Sequence, residues 1–239
     1  MEAEAISFVR KHTSIPVPRL RYYWEDGDLG TLITDYVEGE PLQRVWQRLS
    51  DAQRSAVMYR LRGFVDELRA IPQPRPPAGS NLPPSGWIAS PLGSSFSDFM
   101  MTTEEGLFGP FKTEKEFYDW HVSTFDRFGS RHPPTAERIK KIRENMPNDH
   151  PIVFTHGDIN RRNILVKVHG DGDNDVEITA LLDWEQAGWR PIYWEGSKWI
   201  FADGNTPLWT EYGRNVIGSS YTAEIDLDLE LRGISGFVP

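Results

Sequence analysis

A short apolar run from Ile152 to Thr155 leads into His156-Gly157-Asp158, and after four intervening residues comes Asn163. Two further apolar or alternating runs follow, Ile164 to Val168 and Val176 to Leu182, and the last of them ends in Asp183-Trp184-Glu185. Runs this short, rich in β-branched residues and separated by polar turns, predict a small β cluster. An Asp on a loop just after a strand is held rigidly and can accept a proton from a hydroxyl. An Asn five residues later can turn back to offer a neutral oxygen to a cation. Asp183, closing the third run, can then meet Asn163 around one Mg²⁺, a hard ion that favours oxygen ligands and keeps waters for phosphate oxygens to replace.

Upstream, residues 2–11 carry Ala5, Phe8 and Val9 at helical spacing. The helix they predict stops before Pro16, which cannot continue the hydrogen-bond ladder. Leu20 to Trp24 and Thr31 to Val37 read as two strands around the turn-forming Glu25-Asp26-Gly27-Asp28. Pro41 suits the first turn of a helix through Leu49, and Ser50 with Gln53 has the form of a capping box for a longer helix carrying Val57, Leu61, Phe64, Val65 and Leu68. Six prolines between Pro72 and Pro84 exclude helix and sheet there, so the stretch reads as an extended surface loop. Thr113 and Glu116 repeat the capping pattern ahead of Phe117, Trp120 and His121, and residues 135–146 predict another amphipathic helix. Trp194 and Trp199 suit a helix that starts near Ile192, whereas residues 225–231 fit an edge strand and a helix equally.

A net charge of −9 repels nucleic acid over most of the surface, and no basic run with interleaved aromatics makes a local exception. The same charge favours a cationic small molecule. No stretch approaches the ~18 apolar residues of a membrane span, and Glu2-Ala3-Glu4 after Met1 is not a signal sequence. Cysteine is absent, which removes disulfides and Cys-based zinc sites and suits a reducing, cytoplasmic setting. The histidines include no His-x-x-x-His pair, so the metal expected is Mg²⁺ and not zinc. Asp171-Gly172-Asp173-Asn174-Asp175 opens like a calcium loop, but Val176 stands where such a loop needs glycine, and a hairpin loop is the better reading.

His156-Gly157-Asp158, Asn163 and Asp183-Trp184-Glu185, in that order and with β-rich flanks, resemble the catalytic and metal-binding loops of the aminoglycoside phosphotransferase and choline kinase family. The resemblance implies an α+β, protein-kinase-like fold of the aminoglycoside phosphotransferase type. Residues 1–38 would be the remnant of an N-lobe (helix, two strands, hinge), and residues 39–239 a mainly helical C-lobe with the two loops. It further implies ATP and Mg²⁺ as cofactors, Asp158 as catalytic base, His156 as support of the catalytic loop, and Asn163 and Asp183 as metal ligands. Backbone groups of Asp35 and Val37 would carry adenine. Ser14-Ile15-Pro16-Val17-Pro18 resembles the segment after the family's helix whose glutamate pairs with the ATP-binding lysine, which makes Glu4 the expected glutamate and Glu2 the fallback.

Within these residues nothing matches the three strands, the phosphate-covering loop and the lysine that the family carries ahead of that helix. The expectation is a small-molecule kinase domain with a truncated N-lobe, moving the γ-phosphate of ATP to a hydroxyl of an acceptor. Its alternatives are an enzyme of the same fold doing acid-base chemistry on an organic metabolite without ATP, and a binding-only pseudokinase. Trp189-Arg190-Pro191 and Tyr193-Trp194-Glu195 fall where the family builds part of its acceptor wall. Core packing is the better reading of the tryptophans, and Glu195 is left open.

Overall fold

Helix α1 (Glu2–His12) buries Ala5, Ile6, Phe8 and Val9, the face that its helical spacing marks out. It is followed by the antiparallel hairpin β1 (Leu20–Asp26) and β2 (Leu29–Thr34), in which Tyr22 faces Ile33 and Trp24 faces Thr31. The computed structural model describes residues 1–239 apart from 28, 100, 102–105, 130–132, 174, 204–206 and 237–239. β2 ends three residues short of Val37, so Asp35 and Val37 lie on the extended link that follows it.

That link enters β3 (Glu40–Pro41), then α2 (Leu42–Val45), a 3₁₀ turn at Trp46–Arg48, and α3 (Asp51–Ala70). Where one helix through Leu49 was expected, Glu40 and Pro41 first pair with Val166 and Leu165. Proline has no N–H to donate, but an edge position does not ask for one. The capping box of α3 is complete: Ser50 Oγ accepts from the Gln53 N–H, and Gln53 Oε1 accepts from the Ser50 N–H, both at 3.1 Å. The proline-rich stretch runs as loop, as expected. Helices α4 (Glu114–Ser123), α5 (Asp126–Gly129) and α6 (Pro133–Asn145) follow.

The β cluster lies where its apolar runs predicted it. β4 (Ile152–Thr155), β5 (Ile164–Val168) and β6 (Val176–Leu181) form, with β5 between β3 and β6. A further strand, β7 (Gly188–Pro191), pairs antiparallel with β4 and sets Trp189 opposite Phe154. Its four residues carry no periodicity to reveal it; only the partner strand makes it one. The hairpin reading holds at the described residues 171–173 and 175, since Gly172 N–H donates to Asp175 Oδ2 at 2.9 Å and Gln53 Nε2 donates to the Gly170 carbonyl at 3.0 Å. Helices α7 (Trp194–Asp203), α8 (Pro207–Ile217) and α9 (Thr222–Gly233) end the chain, and α9 resolves the strand-or-helix ambiguity at 225–231.

Two apolar clusters flank the loops between β4 and α7. In one, α1 meets α3 and the β cluster, with Phe8 stacked on Phe154 at 5.1 Å and Trp189 edge-on to Phe154 at 5.3 Å. In the other, α4, α7 and α9 enclose Phe117, Tyr118, Trp194, Ile225 and Leu231. Trp194 and Trp199 are fully buried, so the core reading of these tryptophans holds. Among the described residues no helix is long and apolar enough to cross a membrane. Because Ser50 satisfies an otherwise orphaned N–H at the head of α3, Ser50→Ala should lower stability by about 1 kcal/mol. Urea unfolding reads this as a lower midpoint with unchanged slope, and an unmoved midpoint would show that the box contributes nothing.

Candidate active site

The loop after β4 is held from within. Glu195, fully buried at the start of α7, accepts from the His156 N–H at 2.7 Å and from the Gly157 N–H at 3.1 Å. Burial pushes its carboxyl up, and the two N–H donors pull it back down. His156 is equally buried: Nε2 donates to the Leu182 carbonyl at 2.9 Å and Nδ1 accepts from the Asp158 N–H at 3.1 Å. Burial drives its pKa down to about 3, so the imidazole stays neutral, and its donor and acceptor nitrogens join the loop to the residue before Asp183. Gly157 has φ +78°, and a Cβ there would lie 2.9 Å from the Gln186 carbonyl oxygen, so glycine is required on both counts. Asn160 shapes the next turn: its Oδ1 accepts from the Arg162 N–H at 2.9 Å and from the Asn163 N–H at 3.3 Å.

The turn brings Asn163 back onto Asp158. Asn163 Nδ2 donates to Asp158 Oδ2 at 2.8 Å and to the Asp158 carbonyl at 3.1 Å, and it also hydrogen-bonds the Asp183 side chain. Asp158 Oδ1 is buried and has no hydrogen-bond partner among the described residues. Burial pushes the Asp158 carboxyl up to about 6, against the opposing pull of the Lys198 ammonium. Asp183 has φ +64°, a left-handed backbone that is costly for a residue with a Cβ and recurs at functional sites. Burial raises its pKa too, while Asn163, the Glu185 N–H and exposed Arg162 lower it. Glu2 and Glu185 complete an acidic group around Asp183, each raised first by burial and further by the Asp183 charge.

The structure therefore brings His156, Asp158, Asn163 and Asp183 together. Glu4 is not among them. Its Oε1 accepts from the Leu92 N–H at 2.8 Å and from Ser90 Oγ at 3.1 Å, whereas Glu2 accepts from the Trp184 N–H beside Asp183. Two residues apart on a helix is roughly 200° of rotation, so only one of the pair can face the cluster, and it is the fallback that does. Asp35 and Val37 line an open cavity of about 470 Å³ together with Arg10, Val17, Arg19 and Lys167. The Asp35 N–H is already used by the Arg19 carbonyl at 2.9 Å, and its carboxylate pairs with Arg21.

The donor set fits a hard divalent cation. Asp183 supplies a carboxylate whose charge is under-compensated among acidic neighbours, Asn163 a neutral amide, and Asp158 an orphaned buried oxygen beside them. Among the described residues no three His, Asp or Glu side chains are grouped to hold an ion alone, so the remaining ligands would be waters and phosphate oxygens. Sequence reasoning did not assign Glu195, Asn160 or Lys198. Asn160 lies inside the motif, but the other two are placed by α7, some forty residues downstream, and carry no local signal.

The family model described as the phosphotransferase enzyme family matches residues 1–215. No curated protein matched the sequence. Among solved structures, a thermostable mutant of aminoglycoside phosphotransferase APH(4)-Ia in ternary complex with ADP and hygromycin B superposes with a TM-score of 0.56 at 19% identity, over 98% of this chain and 76% of that one. The GDP complex of aminoglycoside 2'-phosphotransferase-IIIa gives 0.57 at 13% identity, over 99% and 70%. The gentamicin complex of APH(2")-IIa gives 0.58 at 12%, over 94% and 68%. At these identities the likeness shows a shared fold, the kinase-like α+β architecture that the motifs predicted. In the metal-free protein the Asp158 carboxyl should titrate near 6. It is neutral below that pH and carboxylate above it; ¹³C-carboxyl NMR against Asp158→Asn measures the midpoint, and a value at or below the ordinary 3.8 contradicts the burial that sets it.

Proposed function

We propose that this chain, which belongs to the phosphotransferase enzyme family, transfers the γ-phosphate of ATP to a hydroxyl of a small-molecule acceptor at Asp158. The observation that carries the reading is the buried Oδ1 of Asp158, which has no hydrogen-bond partner within ordinary geometry among the described residues, beside the Asn163–Asp183 pair. A hydroxyl placed on Oδ1 gives its proton to the carboxylate as its oxygen forms a bond to the γ-phosphorus; the bond to the β,γ-bridging oxygen breaks and ADP leaves with that electron pair. Asn163 fixes the other carboxylate oxygen, so the free one has a defined direction. Asn163 and Asp183 would hold Mg²⁺, which when bound neutralises charge on the phosphate oxygens.

The cavity along Asp35 and Val37 supports a nucleotide base against the link after β2. The relatives solved with ADP and with GDP point the same way, and those with hygromycin B and gentamicin support a small-molecule acceptor. A net charge of −9 favours a cationic one, and an intracellular, cytoplasmic setting suits a chain without cysteine and an ATP-dependent reaction.

Asp158→Ala should lower MgATP turnover, read as phosphate released with water as acceptor, by at least ~10²-fold with the melting temperature kept. Unchanged turnover removes Asp158 from the mechanism. Isothermal titration of the wild type with MgATP sorts the alternatives: no heat up to millimolar nucleotide favours ATP-independent acid-base chemistry, and binding without turnover favours a binding-only protein.

A further inference from the structure

Lys198, on α7, is fully buried, and so is its ion-pair partner Asp98. Taking both charges out of water is costly, and a packed apolar pair is often no less stable, so stability alone is a weak reason for such a pair. Its connections are more specific. Lys198 Nζ donates to Asp98 Oδ1 and, at 2.6 Å, to Gln186 Oε1. Gln186 Oε1 also accepts from the Phe99 N–H at 3.3 Å, and Trp194 Nε1 donates to Asp98 Oδ2 at 3.3 Å. The ammonium stands 4.0 Å from the Phe99 ring centroid, and Phe99 stays 47% exposed.

Three segments thus meet at one nitrogen, the first of them about 100 residues from the other two: the Asp98–Phe99 segment, the residue that follows Asp183-Trp184-Glu185, and α7, whose Glu195 holds the catalytic loop. Gln186 also lies directly under Gly157, where a side chain would strike its backbone. We propose that Lys198 is a positioning residue: through Asp98 and Gln186 it holds the Asp98–Phe99 segment in register with the catalytic and metal loops. The inference rests on the phosphotransferase reading for its effect on turnover, and on geometry alone for its effect on the loops.

The test compares Lys198→Met, Asp98→Asn and the double variant with the wild type. Each single change leaves one buried charge or a broken pair and should lower the melting temperature; the double variant, a neutral pair of similar size, should recover most of that loss. A merely structural pair would recover turnover together with stability. A positioning residue would not: at a pH well above the Asp158 midpoint of each variant, where loss of the Lys198 charge no longer acts through Asp158 protonation, MgATP hydrolysis by the double variant should stay at least ~10-fold down in kcat with KM for MgATP within about twofold. The Phe99 and Gly157 amides should exchange with deuterium at least ~10-fold faster, with α6 unchanged. Recovery of wild-type kcat in the double variant, or unchanged exchange at both amides, overturns the proposal. If the wild type neither binds nor hydrolyses MgATP, the phosphotransferase reading falls separately, and the exchange comparison decides the role of Lys198 without it.

Discussion

Glu195 carries a carboxylate into the interior, where an unpaired charge costs several kcal/mol, and the N–H groups of His156 and Gly157 offset that cost. Those two N–H groups belong to a tight turn that could not pair them in a strand or helix, so each side satisfies what the other leaves open. Once the turn is pinned, the neutral His156 ring links Asp158 to Leu182, and Asp183 follows at the next residue. The distance between Asp158 and Asp183 is therefore set by a buried chain of hydrogen bonds and not by exposed side chains. Rigidity of this kind is what transfer by positioning and charge neutralisation requires.

Around that scaffold the charges are arranged to be unfinished. Glu2, Asp158, Asp183 and Glu185 are all pushed up by burial, and the cations that pull some of them back, Lys198 and Arg162, do not cancel the set. A divalent cation with its phosphate ligands would complete the balance, which is why the donor set reads as a binding site rather than a stabilising network. Lys198 differs from Arg162 in being buried and directly paired with Asp98 and Gln186.

What could be read in advance divides by range. The Ser50–Gln53 capping box, the Thr113 N-cap, the β cluster, the proline-rich loop and the motif residues rest on contacts within a few positions, so periodicity and turn chemistry exposed them; Glu116 turns to the Lys112 N–H and does not close a second box. β7 escaped because its strand character comes from pairing with β4, some 35 residues away. Glu4 was preferred to Glu2 on spacing to Pro16, but helix rotation decides which carboxylate faces Asp183, and the α1 packing that sets this rotation, Phe8 on Phe154 and Trp189, is tertiary.

The sequence by itself carried the resemblance to the family, with the α+β kinase-like fold that it implies, and singled out Asp158, Asn163 and Asp183, because residue type at fixed spacing on strand-ending turns is a local property. Only the tertiary structure decided which groups hold that constellation in place. Glu195 and Lys198 reach it from α7, and Asp98 stands 100 residues from Lys198. Burial strengthens these contacts by excluding water, but it is a property of the packed chain, and no local stretch of sequence records it.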